Sequence, residues 1–323
     1  MKKTRSVLIL MLILCLAAGL LSGCAQQAAA YFDVRDMGLV TIEDEAVALA
    51  AAPAAIPVML LPEASGKSVK EKNNGSIDYS NIRDGYVMAQ FTAATEKRLK
   101  VQIVGPTTTY SYNLKPQEWA TFPLSDGNGE YKVSIFKNAE GSKYSSVVSV
   151  TFTLELTDEF APFLRPNQFV DYEHAEKTIA KAAELTEGKE SVLDKVEAVY
   201  DYVIGSFGYD DEKAATVEST YVPDLDDVLE KQGGICFDYA AVMAGMLRSQ
   251  GIPVKLVVGY AEDIYHAWIS VFSEKDGWVD GAVFFDGKTW MRMDPTFAST
   301  GGNTQAVKDY IGNGNNYVAR YFY

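Results

Sequence analysis

The pattern of hydrophobic and polar positions divides the chain into four regions. Residues 1–23 contain an unbroken run of apolar and small residues, and residues 24–76 are first alanine-rich and then polar, which is typical of a tether. Residues 77–158 alternate apolar and polar positions in short runs separated by Gly, Pro and Asn, a pattern that predicts β-strands. Residues 159–323 combine helical periodicity with further strands.

The strands predicted for residues 77–158 are short and closely spaced, as in "GYVMAQFTA", "LKVQIVG" and "EYKVSIFK". This spacing predicts a small β-sandwich, whose role is either recognition or spacing. The stretch "DGNGEY" from Asp126 resembles a calcium loop, but Tyr131 replaces the required turn glycine and Lys137 replaces the bidentate glutamate. We therefore expect a hairpin turn there.

Residues 159–323 predict an α+β domain. In "SVLDKVEAVYDYVIGSF" the apolar residues fall on one helical stripe and Ser191 is a plausible N-cap. A shorter helix is predicted from Asp224 to Lys231, and another from Cys236 to about Gln250, where Gly251 and Pro253 end it. The segments "IPVKLVVGYA", "YHAWISVF" and "KTWMRMDPTF" predict strands, and the last segment predicts a further strand or helix packed on the domain.

The first region has the features of a targeting segment. The apolar run Val7 to Leu21 follows basic residues and is too short to span a bilayer, so residues 1–23 are expected to be a signal peptide. The run ends in Leu21-Ser22-Gly23-Cys24, which resembles the lipobox of bacterial lipoproteins. That resemblance implies lipidation of Cys24 and a membrane anchor at the extracytoplasmic face. An ordinary signal peptide with an incidental cysteine is the alternative.

The net charge of −14 argues against a nucleic-acid partner. An acidic surface repels phosphate backbones and anionic lipid headgroups, so membrane association is expected to come from the lipid on Cys24. No glycine-rich loop on a strand-to-helix turn suggests a nucleotide cofactor. His174 and His266 are the two histidines, and His174 is expected to be solvated, so we expect neither a cofactor nor a metal site.

Cysteine usage directs attention to Cys236. The chain has three cysteines; Cys15 would leave with the signal peptide and Cys24 would be lipidated, which leaves one free thiol. Cys236 lies at the start of a predicted helix, where free amides and the positive end of the helix dipole favour thiolate over thiol. Cys236 is either a buried residue that only packs in the core or a nucleophile.

Two predicted strands supply partners for the thiol. Alternation in "YHAWISVF" places His266, Trp268 and Ser270 on one face, and Trp268 is expected to pack beside the imidazole. Alternation in "KTWMRMDPTF" places Trp290, Arg292 and Asp294 on one face of a strand that Pro295 ends. The three elements would bring together a thiol nucleophile, an imidazole base and a carboxylate that orients the base.

The blocks "GGICFDYAAVMAGMLRSQGIPVKLVVGYA", "HAWISVF" and "MDPTF" resemble the transglutaminase-like superfamily. The resemblance covers about Asp171 to Phe297 and implies a papain-like catalytic core with Cys236 as nucleophile, His266 as base and Asp294 as third member. The insertion "SEKDGWVDGAVFFDGK" departs from a minimal hairpin, and the oxyanion partner is not evident; the Cys236 amide is the expected donor, with Gln232 and Tyr221 as guesses.

The resemblance implies acyl transfer through a thioester, and the acceptor decides the activity. The bacterial members are thought to be mainly hydrolytic, so the sequence favours a surface cysteine hydrolase, peptidase-like or amidase-like, acting on a peptide, protein or cell-wall peptide substrate. Transglutaminase cross-linking of glutamine to amines is the first alternative. A surface binding lipoprotein whose triad is unused is the second.

Overall fold

The computed structural model describes residues 59–272, 279–280, 283–284, 291–301, 306 and 316–323. All of them belong to one unit, Pro53–Tyr323. The predicted signal peptide, Cys24 and most of the predicted tether lie outside the described residues, as does most of the insertion after Phe272.

Strands and helices follow one another in the order expected of a mixed α+β chain. The strands are Val69–Lys72 (β1), Gly75–Asp78 (β2), Tyr86–Phe91 (β3), Leu99–Val104 (β4), Thr109–Leu114 (β5), Ala120–Pro123 (β6), Gly129–Glu140 (β7), Lys143–Leu154 (β8), Gly208–Tyr209 (β9), Gly233–Gly234 (β10), Val254–Ala261 (β11), Ile264–Val271 (β12), Val279–Asp280 (β13), Val283–Phe284 (β14), Met291–Met293 (β15) and Tyr317–Phe322 (β16). The α-helices are Glu176–Thr186, Val192–Ser206, Asp211–Thr216, Leu225–Lys231, Cys236–Ser249 and Pro295–Gly301.

The β-rich region consists of two four-stranded antiparallel sheets, in the orders β1-β2-β3-β6 and β5-β4-β7-β8. β1 and the start of β2 lie within the region that we expected to be a tether, so that expectation is wrong for residues 69–76. The sequence of β1, "VKEK", has one apolar residue because β1 is an exposed edge strand. Met59 already packs against the core, whereas Leu60 and Leu61 are exposed.

The prediction of a hairpin turn at "DGNGEY" is also wrong. β6 and β7, on either side of it, belong to different sheets, so this segment is a connection between the two sheets. The Asp126 carboxylate accepts hydrogen bonds from the amides of Thr107 and Thr108, and the Tyr131 hydroxyl donates to the Gly127 carbonyl at 2.9 Å. Turn-forming residues mark a change of direction, but whether the next strand joins the same sheet depends on tertiary packing.

The second region packs helices on an antiparallel sheet in the order β15-β12-β11-β16. The helix Cys236–Ser249, named here the Cys236 helix, is almost wholly buried and contacts β11 and β12. Ser191 and Asp224 cap the helices that follow them, each by accepting a hydrogen bond from the amide three residues later. These caps and helices confirm the sequence predictions, and the last predicted element is β16.

A cluster of aromatic rings joins the two regions into one hydrophobic core. Tyr323 contacts the rings of Tyr110 and Tyr112 in β5 and of Phe169 in the connection between the regions. The Ser125 hydroxyl donates to the main-chain oxygen of Phe322 at 2.6 Å. The last strand therefore belongs to the second sheet and is also held by the β-rich region.

The architecture confirms the predicted α+β class with a β-sandwich-like region before the helical part. Among the described residues, none of the helices has both the length and the apolar character that a bilayer crossing requires.

Candidate active site

Cys236 is the first residue of its helix and is a half-buried free thiol. Its amide is one of the first amides of the helix, which have no carbonyl one turn earlier to which they can donate. The Asp238 carboxylate accepts the Ile235 amide at 2.8 Å and so fixes the entry of the chain into the helix.

Asp238 also forms an ionic network that the sequence did not reveal. Its carboxylate is fully buried, lies 2.6 Å from Lys213 Nζ and accepts the Tyr221 hydroxyl at 2.5 Å. Burial and then the hydrogen bond to Asp238 raise the pKa of Tyr221. Tyr221, one of our guesses for the oxyanion donor, is thus hydrogen-bonded to Asp238.

The glycine pair before Cys236 lies in close contact with neighbouring protein atoms. β10 (Gly233 and Gly234) pairs in parallel with β9, and a Cβ on Gly233 would lie 2.7 Å from the Gly208 carbonyl oxygen. A Cβ on Gly234 would overlap the Asp238 carboxylate. Both positions therefore require glycine because of neighbouring protein atoms. Gln232, our other guess, adopts the left-handed conformation that ends the preceding helix.

His266 and Asp294 come together beneath the thiol. His266 lies in β12 and Asp294 directly precedes the helix Pro295–Gly301, and both side chains are buried. His266 Nε2 lies 2.8 Å from Asp294 Oδ2, and the imidazole also shares a hydrogen bond with the Cys236 side chain. The structure thus brings together the three residues that the sequence predicted as a catalytic group.

The electrostatics of His266 favour its protonated form. Burial by itself lowers the pKa of the imidazole, but the hydrogen bonds with Asp294 and Cys236 outweigh burial and raise the pKa to about 10. At neutral pH the buried imidazole is therefore expected to carry a proton.

Trp268 and Tyr317 enclose the imidazole and the carboxylate. The Trp268 ring stacks beside His266 with centroids 6.2 Å apart, as the alternation in β12 predicted. The Tyr317 ring contacts Trp268 edge-on at 5.0 Å, and its hydroxyl lies 2.9 Å from Asp294 Oδ2. No periodicity or motif links Tyr317 to Asp294, so a role for Tyr317 could not be inferred from the sequence.

Two partly exposed tyrosines, Tyr209 and Tyr265, lie within electrostatic reach of Cys236. Burial, with a contribution from Cys236, raises the pKa of both hydroxyls. Tyr209 also lines a 740 Å³ cavity that extends from β9 and β10 to Tyr221 and Asp227. Aromatic surface from Tyr209 and Tyr265 therefore lies near the thiol.

His174 lies away from this group of residues. It is exposed and pairs with Asp171 at 2.9 Å, a contact that raises the pKa of its imidazole. Within the described residues, no group of His, Cys, Asp and Glu side chains is arranged to hold a metal ion.

Comparison with known proteins identifies the domain that carries Cys236, His266 and Asp294. The profile of the Transglutaminase-like superfamily matches residues 179–295, so this part of the chain is a transglutaminase-like domain, as the sequence motifs predicted. An uncharacterized protein of Bacillus subtilis, YebA, is 30% identical over 124 residues. That match takes in 32% of this chain and 17% of the relative, so the chain spans a minor part of the relative's length.

Several solved structures are also similar to parts of this chain. A candidate cysteine protease from Cytophaga hutchinsonii is 17% identical, with a TM-score of 0.38 and coverage of 72% of this chain and 73% of that one. The periplasmic domain of TgpA from Pseudomonas aeruginosa is 16% identical, with a TM-score of 0.34 and coverage of 65% and 93%. A red sea bream transglutaminase is 13% identical, with a TM-score of 0.29 and coverage of 65% and 48%.

Proposed function

We propose that this protein is a cysteine hydrolase, of peptidase or amidase type, that acts through a thioester acyl-enzyme. The observation that carries the proposal is the buried imidazole of His266, hydrogen-bonded both to the Cys236 thiol and to Asp294. A nucleophile, a base and a group that orients the base define covalent acyl-transfer chemistry. We assign these roles to Cys236, His266 and Asp294 respectively.

In the acylation step, the Cys236 thiolate attacks the carbonyl carbon of an amide and forms a tetrahedral oxyanion. The first amides of the Cys236 helix, including that of Cys236, are suited to stabilise this oxyanion. The imidazolium of His266 donates its proton to the departing amine as the carbon–nitrogen bond breaks. Water then attacks the thioester, His266 takes a proton from that water, and the carboxylic acid and the thiolate are released.

Water is the favoured acceptor because the Cys236 side chain is partly exposed to solvent. A transferase has to favour an amine over water at the thioester, and none of the described contacts of Cys236 points to such an amine site. Aromatic surface from Tyr209 and Tyr265 suits a peptide or protein chain, including a cell-wall peptide. Transfer of glutamine acyl groups to amines is the competing outcome of the test.

The test supplies the full-length protein with a glutamine-containing peptide in H₂¹⁸O, with and without dansylcadaverine, and follows the products by mass spectrometry. Without added amine, a hydrolase cleaves either the glutamine side-chain amide, with release of ammonia, or a peptide bond, with release of a shorter peptide, and in both cases it places one ¹⁸O atom in the product carboxylate. Amine incorporation with negligible hydrolysis would show a transferase. Casein and cell-wall peptide fragments extend the substrate range, and Cys236→Ala is the matched control, which should abolish every product.

We also propose that Cys24 carries a lipid that anchors the protein at the extracytoplasmic face of a membrane. The lipobox-like Leu21-Ser22-Gly23-Cys24 supports this proposal, and the acidic charge of the chain supports attachment through lipid over attachment through a basic patch. In cells fed radiolabelled palmitate, the wild-type protein should be labelled and sediment with membranes. Cys24→Ser should remove the label, whereas labelling that persists in Cys24→Ser would refute the proposal.

A further inference from the structure

Tyr317 is the first residue of the last strand, and its side chain reaches the carboxylate beneath the imidazole. The residue is buried, and its ring packs edge-on against Trp268. Its hydroxyl donates a hydrogen bond of 2.9 Å to Asp294 Oδ2. The strand is held in place by its antiparallel pairing with β11, in which Tyr317 lies opposite Ala261. The position of the hydroxyl is therefore set by the sheet.

The same carboxylate oxygen serves two donors. Asp294 Oδ2 lies 2.8 Å from His266 Nε2 and 2.9 Å from the Tyr317 hydroxyl. Asp294 is fully buried, and a buried carboxylate needs hydrogen-bond donors to remain charged. The tyrosine hydroxyl supplies one of these donors without bringing water to the site. It also limits rotation of the carboxylate, because Oδ2 is held from two directions.

We propose that Tyr317 is a positioning residue of the site, which holds the Asp294 carboxylate charged and oriented toward His266. This inference rests on the proposed function, since it assigns Tyr317 a role in preparing the Cys236 nucleophile. Tyr317 acts through Asp294 and His266 and has no assigned contact with the substrate.

Loss of the hydroxyl should make the Cys236 thiolate harder to form. Ionisation of the thiol leaves the group of Cys236, His266 and Asp294 with a net negative charge, and a donor hydrogen bond into this group stabilises that charge. A carboxylate that is less well held also supports the imidazolium less well. Both effects act in the same direction and move the reactivity of Cys236 to higher pH.

Other titratable groups face the same site, and they must remain constant across the variants. Those that lie around it and are unchanged in every variant are Tyr209, Asp211, Lys213, Asp238, Tyr239, Tyr260, Tyr265 and Arg320. The pKa values of Tyr209, Tyr239 and Tyr265 are raised by burial. Because these groups are the same in every variant, a comparison between variants at each pH removes their contribution from the difference in alkylation rate.

The experiment measures the rate of Cys236 alkylation by iodoacetamide from pH 5 to pH 10 in the full-length protein, by mass spectrometry of the peptide that contains Cys236. The variants are Tyr317→Phe, Tyr321→Phe and His266→Ala. Tyr321→Phe is the matched control, because it removes a hydroxyl from the same strand but not from Asp294. We expect Tyr317→Phe to lower the rate at pH 7 by about tenfold and to raise the midpoint pH, and Tyr321→Phe to match the wild type.

The alkylation profiles distinguish failure of the role of Tyr317 from failure of the proposed function. A wild-type profile with an early plateau that shifts in His266→Ala but not in Tyr317→Phe overturns the role of Tyr317 and leaves the proposed function standing. Equal shifts in both tyrosine variants would also refute the role, since they would reflect a general effect on the strand. An ordinary thiol profile in the wild type, unchanged in His266→Ala, would overturn the proposed function itself.

A double-variant comparison separates positioning from packing, and it remains informative if Tyr317→Phe is less stable. In the background of Asp294→Asn, removal of the Tyr317 hydroxyl should change the midpoint pH by much less than in the wild type, because the charge it stabilises is absent. An equal change in both backgrounds would place the effect of Tyr317 outside the carboxylate and overturn the proposal.

Discussion

At the scale of single residues, the site depends on two buried carboxylates with different partners. Asp294 is held by an imidazole and a tyrosine hydroxyl, whereas Asp238 is held by Lys213, the Tyr221 hydroxyl and a backbone amide. Asp238 lies two residues after Cys236 and supports the loop that presents it. A buried charge that loses its partner is costly, so these contacts make the site sensitive to single substitutions.

We expect Lys213→Met to destabilise the fold by about 2–4 kcal/mol, because it leaves the buried Asp238 carboxylate without its cation. The matched control is Lys231→Met, which removes a surface ion pair with the half-exposed Asp227 and should leave the stability nearly unchanged. Urea unfolding monitored by circular dichroism gives both free energies. Equal effects of the two substitutions would contradict the buried-pair account.

The raised pKa of His266 predicts a pH dependence of stability. The pKa of the imidazole is 6.5 when unperturbed and about 10 in the fold, so its contribution is fully present below pH 6.5 and is lost as pH rises toward 10. The free energy of unfolding of the wild type, relative to His266→Ala, should therefore fall across this window by at most about 1.4 kcal/mol per pH unit. A difference that stays constant from pH 6 to pH 10 would argue against the protonated imidazole.

Residues that belong to local sequence patterns could be predicted, and those defined by distant contacts could not. Cys236, His266 and Asp294 each occur in a recognisable block, and the helix and strands around them follow from periodicity. Tyr317 reaches Asp294 through the pairing of β16 with β11. Lys213 reaches Asp238 from a helix on another part of the surface, 25 residues earlier in the chain. Neither contact leaves a local signature.

At the scale of elements, the start of the Cys236 helix depends on the short parallel pair of β9 and β10. This pair was not predicted, since a two-residue strand of glycines has no hydrophobic pattern. The connection at "DGNGEY" shows the same limit: its residues predict a turn, whereas the sheet that the next strand joins is decided by the core. Element type was therefore more predictable than element pairing.

Gly233→Ala tests the pairing of β9 with β10. The new Cβ would lie 2.7 Å from a backbone oxygen, so we expect a destabilisation of about 1–3 kcal/mol and slower alkylation of Cys236 at pH 7. Gly205→Ala is the control: this helical glycine has open space around it, and alanine should stabilise the helix by up to about 1 kcal/mol. Chemical unfolding and iodoacetamide kinetics measure the two effects. If Gly233→Ala changed neither the free energy of unfolding nor the alkylation rate, the separation of β9 from β10 would have no cost.

At the scale of the whole molecule, the β-rich region and the transglutaminase-like domain share one hydrophobic core. Rings from both regions meet around Tyr323, which directly follows the strand that carries Tyr317 to the site. The β-rich region thus supports the strand that positions Asp294. This arrangement gives the β-rich region a mechanical role in the site, in addition to any recognition of partners.

Tyr112→Ala tests this coupling from a position in β5, in the β-rich region. Tyr112 is almost fully buried against Phe122, Phe169 and Tyr323, so its truncation should cost about 3–5 kcal/mol. Because the core is continuous, unfolding should remain a single transition, and Cys236 should become freely alkylated at the same urea concentration at which circular dichroism is lost. Tyr144→Ala, near the end of the β7–β8 hairpin, should shift both midpoints only slightly. If the β-rich region of Tyr112→Ala unfolded first while Cys236 kept its native reactivity, the two regions would be energetically independent and the shared strand would not transmit stability to the site.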